Sequence, residues 1–293
     1  MTKRFEYLRP STPKEACELK AQNGKLARFL AGGTDLLLDW RRGKTDFKYC
    51  IDLTFISDLK YIKQTPNEVS IGTLTTLASL ENANKGNGLT AALSNTASQM
   101  CTPQIRSFAT VGGNLCNASP ASDLPVMFMA LDGQVKILGV SGERTIALED
   151  FFKGVNGTAL KEDEMLTEII VPKPALKTAS AYRRATRLVV DCNQTNVAVS
   201  LSADDAGVVK EARIVLGAVA PVPMRAKAAE KMLLNLEVSK IDKELLEKTS
   251  SQASLETKPI SDLRASADYR REISRVLVRR CIEESIQKLG GLK

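Results

Sequence analysis

The stretch TVGGNLCNASPASDLP occupies residues 110–125 and contains small and polar residues with little apolar bulk. Because Gly, Asn and Ser favour turns, it predicts a turn-rich segment. It leads directly into VMFMALD at residues 126–132, an apolar run that predicts a buried helix. Such a segment is either a plain connector or a place where free backbone N–H groups bind a ligand.

A second glycine pair lies upstream in KLARFLAGGTDLLLDWRRG, residues 25–43. Its first half predicts a short strand, Gly32 and Gly33 predict a turn, and Thr34 predicts the N-cap of a helix with Asp35 in its first turn. Exposed N–H groups at such a turn bind anions, and phosphate is the usual ligand. The alternative is a well-capped strand-to-helix turn with no ligand.

Neither glycine pair matches the common nucleotide-binding motifs. The GxGxxG motif is absent, because Leu36 and Leu37 stand where its later glycines would fall. Asp52 nevertheless lies about 20 residues downstream, where a ribose-binding acid is expected. The GxxxxGKS/T motif of P-loops is also absent. Two separate glycine loops favour a dinucleotide held between two subdomains.

The composition limits the chemistry that the chain can perform alone. Its 293 residues include no histidine, which removes the commonest metal ligand and the commonest general base. The six cysteines are scattered and form no Cys-x-x-Cys pair. We therefore predict no catalytic side chain and no metal site on this chain, and we expect a cofactor to carry the chemistry.

The formal net charge is +7, with basic doublets spread along the chain and interleaved with acids. This distribution argues against nucleic-acid binding and leaves an anionic cofactor or an acidic protein partner. No segment approaches the roughly 18 apolar residues that span a membrane, and the N-terminal residues lack an apolar signal segment. We expect a cytoplasmic protein without membrane insertion.

The C-terminal stretch YRREISRVLVRRCIEESIQKL, residues 269–289, predicts a long helix with one apolar side. Arginines, among them Arg275 and Arg279, crowd its remaining surface. Two interpretations are open. The helix packs on its own domain with its arginines in water, or some of these arginines meet acidic patches on a partner chain.

A domain boundary is predicted at PKPALKTAS, residues 172–180, where two prolines stop a strand. Strands followed by helices after this point predict an α+β domain. Four motifs carry a wider resemblance, in this order along the chain: LAGGTDLL (30–37), IGTLTTLASL (71–80), TPQIRSFATVGGNLCNASPASDLP (102–125) and RASADYRREISRVLVRR (264–280).

These motifs resemble the FAD-binding medium subunits of molybdenum hydroxylases, the group of xanthine, carbon monoxide and nicotinate dehydrogenases. The resemblance implies an α+β fold with two α/β FAD-binding subdomains of the PCMH/vanillyl-alcohol-oxidase type, at residues 1–57 and 58–174. It also implies a C-terminal α+β domain of the CO dehydrogenase flavoprotein type at residues 178–293, with a three-stranded antiparallel sheet and helices.

The resemblance also implies the residues that bind FAD, beginning with a first loop whose backbone amides hold the pyrophosphate. Asp123 would lie near the FAD, Leu166 would line the flavin, and Arg183 would take a basic position usually held by Lys. From the residues alone, Asp123 is also a candidate cap for the helix that follows, and Arg183 a candidate surface partner of an acid. The full predicted set is Arg28, Phe29, Leu30, Ala31, Gly32, Gly33, Thr34, Asp35, Met100, Cys101, Thr110, Val111, Gly112, Gly113, Asn114, Asp123, Leu166 and Arg183.

The function that the resemblance implies is electron transfer within a heteromeric oxidoreductase of the xanthine dehydrogenase type. A large partner subunit would bind the molybdopterin cofactor and hydroxylate the substrate, and a small partner subunit would carry 2Fe–2S clusters. FAD on this chain would pass the electrons to NAD or another acceptor. The 4-hydroxybenzoyl-CoA reductases carry a cysteine-rich insertion for a further iron–sulfur cluster, and the scattered cysteines here imply FAD alone.

Three alternatives remain open from the sequence. The same role is compatible with carbon monoxide, nicotinate or an aldehyde as the substrate of the complex. A protein of a different class would be a basic interaction module whose glycine loops are only turns. A stand-alone flavin oxidase is disfavoured by the missing base.

Overall fold

The computed structural model describes residues 4–83 and 88–290. Within these ranges the helices are α1 (Pro13–Asn23), α2 (Leu36–Arg41), α3 (Leu77–Glu81), α4 (Leu89–Ser98), α5 (Pro103–Phe108), α6 (Val111–Asn117), α7 (Leu124–Ala130), α8 (Lys227–Lys231), α9 (Lys243–Leu255) and α10 (Ala267–Leu289). The strands are β1 (Glu6–Leu8), β2 (Ala27–Leu30), β3 (Tyr49–Asp52), β4 (Ile62–Gln64), β5 (Glu68–Gly72), β6 (Gln134–Gly139), β7 (Gly142–Ala147), β8 (Phe152–Gly154), β9 (Gly157–Thr158), β10 (Met165–Pro172), β11 (Lys177–Ala185), β12 (Thr195–Ala203), β13 (Val209–Gly217) and β14 (Met224–Arg225).

The first sheet is parallel, with the strand order β1-β3-β2. Helix α1 packs on β2 and β3 and also on β6 of the second sheet. Thr12 caps this helix by accepting a hydrogen bond from the N–H of Glu15 at 3.1 Å, and Pro13 suits the first turn because its missing N–H has no role there. The parallel strands end at one edge of the sheet, where Gly32 follows β2 after a single residue.

The second sheet is antiparallel, with the order β4-β5-β10-β6-β7. Apolar residues alternate along its strands and meet the helices α3, α4, α6 and α7 in one large core. A register shift between Leu166 and Glu168 interrupts the ladder of β10 with β6. The glycine-rich stretch therefore lies on the helical layer of this sheet.

The third sheet is antiparallel, with the order β11-β12-β13-β14, and it packs against α10. The fold class predicted from the sequence is confirmed, with one difference in this sheet. The expected three strands are followed by a short fourth, β14, in which Met224 and Arg225 pair with Leu216 and Val215. The predicted domain bounds remain a proposal, and their outer ends, residues 1 and 293, lie outside the described ranges.

Helix α7 joins the second and third sheets. All of its residues from Leu124 to Ala130 are buried. One side of the helix contributes Phe128 to the core of the second sheet, and Ala198 and Val215 of the third sheet belong to that same core. The prediction of a buried helix after the glycine-rich stretch is thus confirmed, and its burial fixes where that stretch ends.

Three arginines of α10 make contacts within the chain. Arg270 is 3% exposed and donates to the carbonyl of Ala218 at 2.9 Å, while Arg275 and Arg279 both pair with Glu247. This pattern favours the interpretation in which the helix packs on its own domain. None of the helices within residues 4–83 and 88–290 is long and apolar enough to cross a membrane.

The packing of α7 between the second and third sheets leads to a prediction about stability. We expect Phe128→Ala to lower the free energy of unfolding by about 3–5 kcal/mol, because the substitution leaves a cavity between two sheets. Phe55→Ala is the matched control, since Phe55 is 57% exposed, and it should cost about 1 kcal/mol or less. Urea titration of both variants measures the difference. Equal losses would show that α7 is not the joint between the sheets.

Candidate functional site

The first glycine loop follows β2 directly. Gly33 has φ +70°, a left-handed conformation that glycine adopts without steric cost. The expected cap at Thr34 is wrong: α2 begins one residue later, and the N-cap position is Asp35, whose side chain makes no capping hydrogen bond. Among the described residues, nothing accepts a hydrogen bond from the backbone N–H of Gly32, Gly33, Thr34 or Asp35.

The remaining residues of the predicted first loop serve the sheet. Arg28, Phe29 and Leu30 pair with residues 50–52 of β3, so their backbone groups belong to the parallel ladder. Ala31 is partly buried and packs against the core that includes Ala27 and Ile51 of the first sheet. The N–H groups of Gly32, Gly33, Thr34 and Asp35 lie beyond this ladder.

The first loop lies against the residues just before the second. A Cβ on Gly32 would overlap the carbonyl oxygen of Phe108 and would lie 2.6 Å from its carbonyl carbon and 3.0 Å from Cα of Ala109. Only glycine allows this approach. The contact places the free N–H groups of the first loop beside Thr110, where the second glycine stretch begins.

The second glycine stretch is a helix, not an open loop. Thr110 caps α6 by accepting a hydrogen bond from the N–H of Gly113 at 3.0 Å. The N–H groups of Val111 and Gly112 donate to the carbonyls of Thr75 and Thr73, both at 2.9 Å. The expectation that backbone N–H groups are free here is therefore wrong.

Gly112 has a packing role. A Cβ at this position would overlap Oγ1 of Thr73 and would lie 2.8 Å from its Cβ. A larger residue would push α6 away from the second sheet. Gly112 is thus required for the packing of α6 against Thr73, whereas Gly33 is required because its loop adopts a positive φ.

Asn114 carries the strongest sign of a ligand at α6. Its Oδ1 is buried and accepts no hydrogen bond from the described residues. Buried polar atoms are nearly always paired in native proteins, so an unpaired one points to an absent partner. The amide lies on the first turn and a half of α6, on the same segment whose start contacts the first loop.

Met100 and Cys101 form the turn between α4 and α5. Met100 is buried in the core of the second sheet, and Cys101 has φ +34°. The buried guanidinium of Arg106 donates to the carbonyls of both residues, at 2.7 and 2.9 Å, and forms a bidentate pair with Glu81. An unusual backbone conformation is thus held by a charged group.

Asp123 is buried where the glycine-rich stretch meets the C-terminal domain. Tyr182 donates its hydroxyl proton to Oδ1 of Asp123 at 2.6 Å, and Nη1 of Arg184 lies 3.3 Å from the same oxygen. Burial raises the pKa of this carboxyl, while Arg184 and Tyr182 act in the opposite direction. The side chain does not cap α7, which removes the capping alternative.

Leu166 and Arg183 complete the predicted set. Leu166 is 3% exposed and packs in the core of the second sheet. Arg183 is exposed and pairs with Glu284 of α10 at 2.7 Å. Side chains alternate across a strand, so Arg183 points away from Asp123 while its two neighbours point toward it. The ion pair with Glu284 is the contact that the alternative interpretation expected, and a role for Arg183 at the flavin stays a prediction.

The residues present fit a dinucleotide such as FAD. Four free N–H groups at the Gly32–Gly33 turn suit a pyrophosphate. An unpaired amide oxygen at Asn114 suits a hydroxyl or N–H donor. Within the described residues no cluster of three or more His, Cys, Asp or Glu could hold a metal.

Two families match successive parts of the chain. Residues 3–174 match the FAD binding domain in molybdopterin dehydrogenase, and residues 180–285 match the CO dehydrogenase flavoprotein C-terminal domain. With the fold and the two glycine segments, these matches define the class: this is an FAD-binding subunit. The chain belongs to the FAD-binding subunits of the molybdenum hydroxylase family, and its activity class is oxidoreductase.

Individual relatives cover nearly the whole chain. It is 32% identical to the carbon monoxide dehydrogenase medium chain of Afipia carboxidovorans over 281 residues, 96% of each chain. It is 35% identical to the nicotinate dehydrogenase FAD-subunit of Eubacterium barkeri over 237 residues, 79% of this chain and 80% of the other. The structure of carbon monoxide dehydrogenase from Hydrogenophaga pseudoflava superposes with a TM-score of 0.91 and 31% identity, covering 98% and 99% of the chains.

Three residues around the site were missed from the sequence. Tyr182 and Arg184 face Asp123, and Arg106 holds the turn at Met100. The period of two along β11 was the available signal, because Tyr182 and Arg184 share one face of that strand. Nothing in the sequence distinguishes the buried Arg106 from an exposed arginine.

The free N–H groups of the first loop lead to a prediction about FAD affinity. We expect Gly33→Ala to weaken FAD binding at least about tenfold, equal to about 1.4 kcal/mol, because alanine disfavours the left-handed conformation that aims these groups. Gly43→Ala is the matched control, since Gly43 has φ +73° and an added Cβ there meets nothing within 4 Å. Fluorescence titration of apoprotein with FAD gives both dissociation constants. Equal effects of the two substitutions would assign the loop a purely structural role.

A second prediction about FAD binding follows from the unpaired amide oxygen of Asn114. Asn114→Leu should leave the apoprotein as stable as the wild type or more stable, because no hydrogen bond within the protein is lost. FAD affinity should fall by about tenfold, the loss expected for one hydrogen bond. Thermal unfolding with and without FAD separates the two effects. Unchanged affinity in a stable variant would remove Asn114 from the site.

Proposed function

We propose that this chain is the electron-transfer subunit of a heteromeric molybdenum hydroxylase. Its partners are a large subunit with the molybdopterin cofactor and a small subunit with 2Fe–2S clusters. The proposal depends on one observation: a chain of this family has both a loop whose N–H groups lack acceptors among the described residues and a buried amide oxygen, Oδ1 of Asn114, that accepts no hydrogen bond from them. The relatives support it, since they are named as the medium chain or FAD-subunit of dehydrogenases.

FAD, when bound, supplies the redox chemistry by accepting electrons and passing them to an acceptor. The chain's own residues bind and orient it. The N–H groups of residues 32–35 hold the pyrophosphate, Asn114 pairs with a polar group of the cofactor, and the turn at Met100 and Cys101 lies at the ring. With no histidine in the chain, proton transfer is not assigned to any side chain.

Electrons arrive from the 2Fe–2S clusters of the small partner and leave to NAD or another acceptor. The substrate is hydroxylated on the large partner, and our first candidate is xanthine or another N-heterocycle. Carbon monoxide, nicotinate and aldehydes are the alternatives, supported by relatives named for carbon monoxide, nicotinate and glyceraldehyde. In this proposal the chain works in the cytoplasm.

Reconstitution with the partner chains tests the proposal. Under anaerobic conditions, the assembled complex should bleach the flavin absorbance after addition of its substrate, and NAD should restore it. The isolated FAD-loaded chain, as control, should show no bleaching with the same substrate. Bleaching of the isolated chain would indicate a stand-alone oxidase instead, and a chain that takes up no FAD would indicate an interaction module.

A further inference from the structure

Three consecutive carbonyl oxygens of the turn between α4 and α5 are held by two guanidinium groups. Arg184 donates to the carbonyl of Gln99, and Arg106 donates to those of Met100 and Cys101. Arg106 belongs to α5, close in sequence to the turn. Arg184 belongs to β11 of the C-terminal domain, so the turn is held from two parts of the chain.

Arg184 connects three separate segments. Its side chain is only 7% exposed. Besides Gln99, its guanidinium reaches the carboxylate of Asp123 at 3.3 Å and the carbonyl of Asp191. It therefore ties the end of the glycine-rich stretch to the turn at residues 99–101 and to the loop that follows its own strand.

The C-terminal domain also donates hydrogen bonds to three carbonyls of the glycine-rich stretch. Asn193 donates to the carbonyl of Ala121 at 2.9 Å, and Asn196 donates to that of Ser122 at 2.9 Å. The N–H of Ala218 donates to the carbonyl of Pro120 at 2.7 Å. Residues 120–123 are thus fixed by the third sheet as well as by α7, and Arg184 is the charged member of this set.

Stability alone is a poor reason for this arrangement. Burying a charged pair costs solvation that the attraction between the charges only partly returns. The Nε of Arg184 is in addition buried without an acceptor among the described residues, which is a further cost. What a guanidinium bridging three acceptors provides is a fixed geometry, because its donors form a rigid plane.

The fixed turn carries backbone donors of its own. The carbonyls of Gln99, Met100 and Cys101 are all bound by arginines. The N–H groups of Cys101 and Thr102, in contrast, have no acceptor among the described residues. Cys101 has a positive φ, a strained conformation for a residue other than glycine, and its carbonyl accepts a hydrogen bond from Arg106. Loss of either arginine would release the turn and its two free donors.

We infer that Arg184 is a positioning residue of the FAD site, acting from the C-terminal domain through the turn at residues 99–101 and through Asp123. Arg106 fixes the other end of the same turn. The inference rests on FAD binding by this chain and on the proposed place of Met100 and Cys101 at the flavin. It makes the C-terminal domain part of the cofactor site rather than an appended unit.

Arg184→Gln and Arg184→Lys in the full-length chain test the inference. We expect Arg184→Gln to weaken FAD binding at least about tenfold. Reduced FAD should lose about tenfold more affinity than oxidised FAD, which lowers the midpoint potential of the bound flavin by about 30 mV for a two-electron couple. Arg184→Lys keeps the charge but cannot bridge three acceptors, so its potential should lie between those of Arg184→Gln and the wild type.

Arg271→Gln is the control, because Arg271 is exposed and, among the described residues, its side chain pairs only with Asp268 on its own helix. It should leave both affinity and potential at the wild-type values. If Arg184→Gln does not fold, Arg184→Lys carries the test alone. A variant that unfolds more easily but binds FAD with unchanged affinity and potential would overturn the inference and make Arg184 purely structural. Failure of the wild type to bind FAD would instead overturn the proposed function.

Discussion

The contact between Gly32 and the backbone of Phe108 and Ala109 is the constraint on which the site depends. It is possible only because Gly32 has no Cβ, and it sets the edge of the first sheet against the helical layer of the second. Helix α6, held by the carbonyls of Thr73 and Thr75, then starts at a defined distance from the first loop. The two glycine segments are thereby brought together at the proposed FAD site.

The two glycine segments contribute differently to the site. The first supplies free N–H groups at residues 32–35. The N–H groups of the second donate to its own N-cap and to the carbonyls of Thr73 and Thr75, so its contribution to the site is the amide of Asn114. Behind them, the buried helix α7, the hydrogen bond from Tyr182 to Asp123 and the ion pair of Arg184 with Asp123 fix the end of the second segment. In our proposal the flavin site is therefore formed by residues of both FAD-binding subdomains and of the C-terminal domain.

Much of this arrangement could be predicted from the sequence, and the misses have physical reasons. The fold class, the buried helix after Asp123 and the two glycine segments follow from residue patterns and from motifs with recognisable spacing. The state of the N–H groups at Val111 and Gly112 does not, because their acceptors lie on the remote segment at residues 73–75. The face taken by Arg183 depends on the register of β11, and one residue of shift exchanges it with Arg184. Long-range partners of this kind are set by tertiary packing, which local sequence does not encode.

Residue-resolved amide hydrogen exchange of the chain with and without FAD tests the central claim most directly. The account predicts that FAD slows exchange strongly at Gly32, Gly33, Thr34 and Asp35, whose N–H groups have no acceptor among the described residues. The amides of residues 111–113 should be slow already in the apoprotein and should change little. Strong new protection at residues 111–113, with none at residues 32–35, would contradict the account.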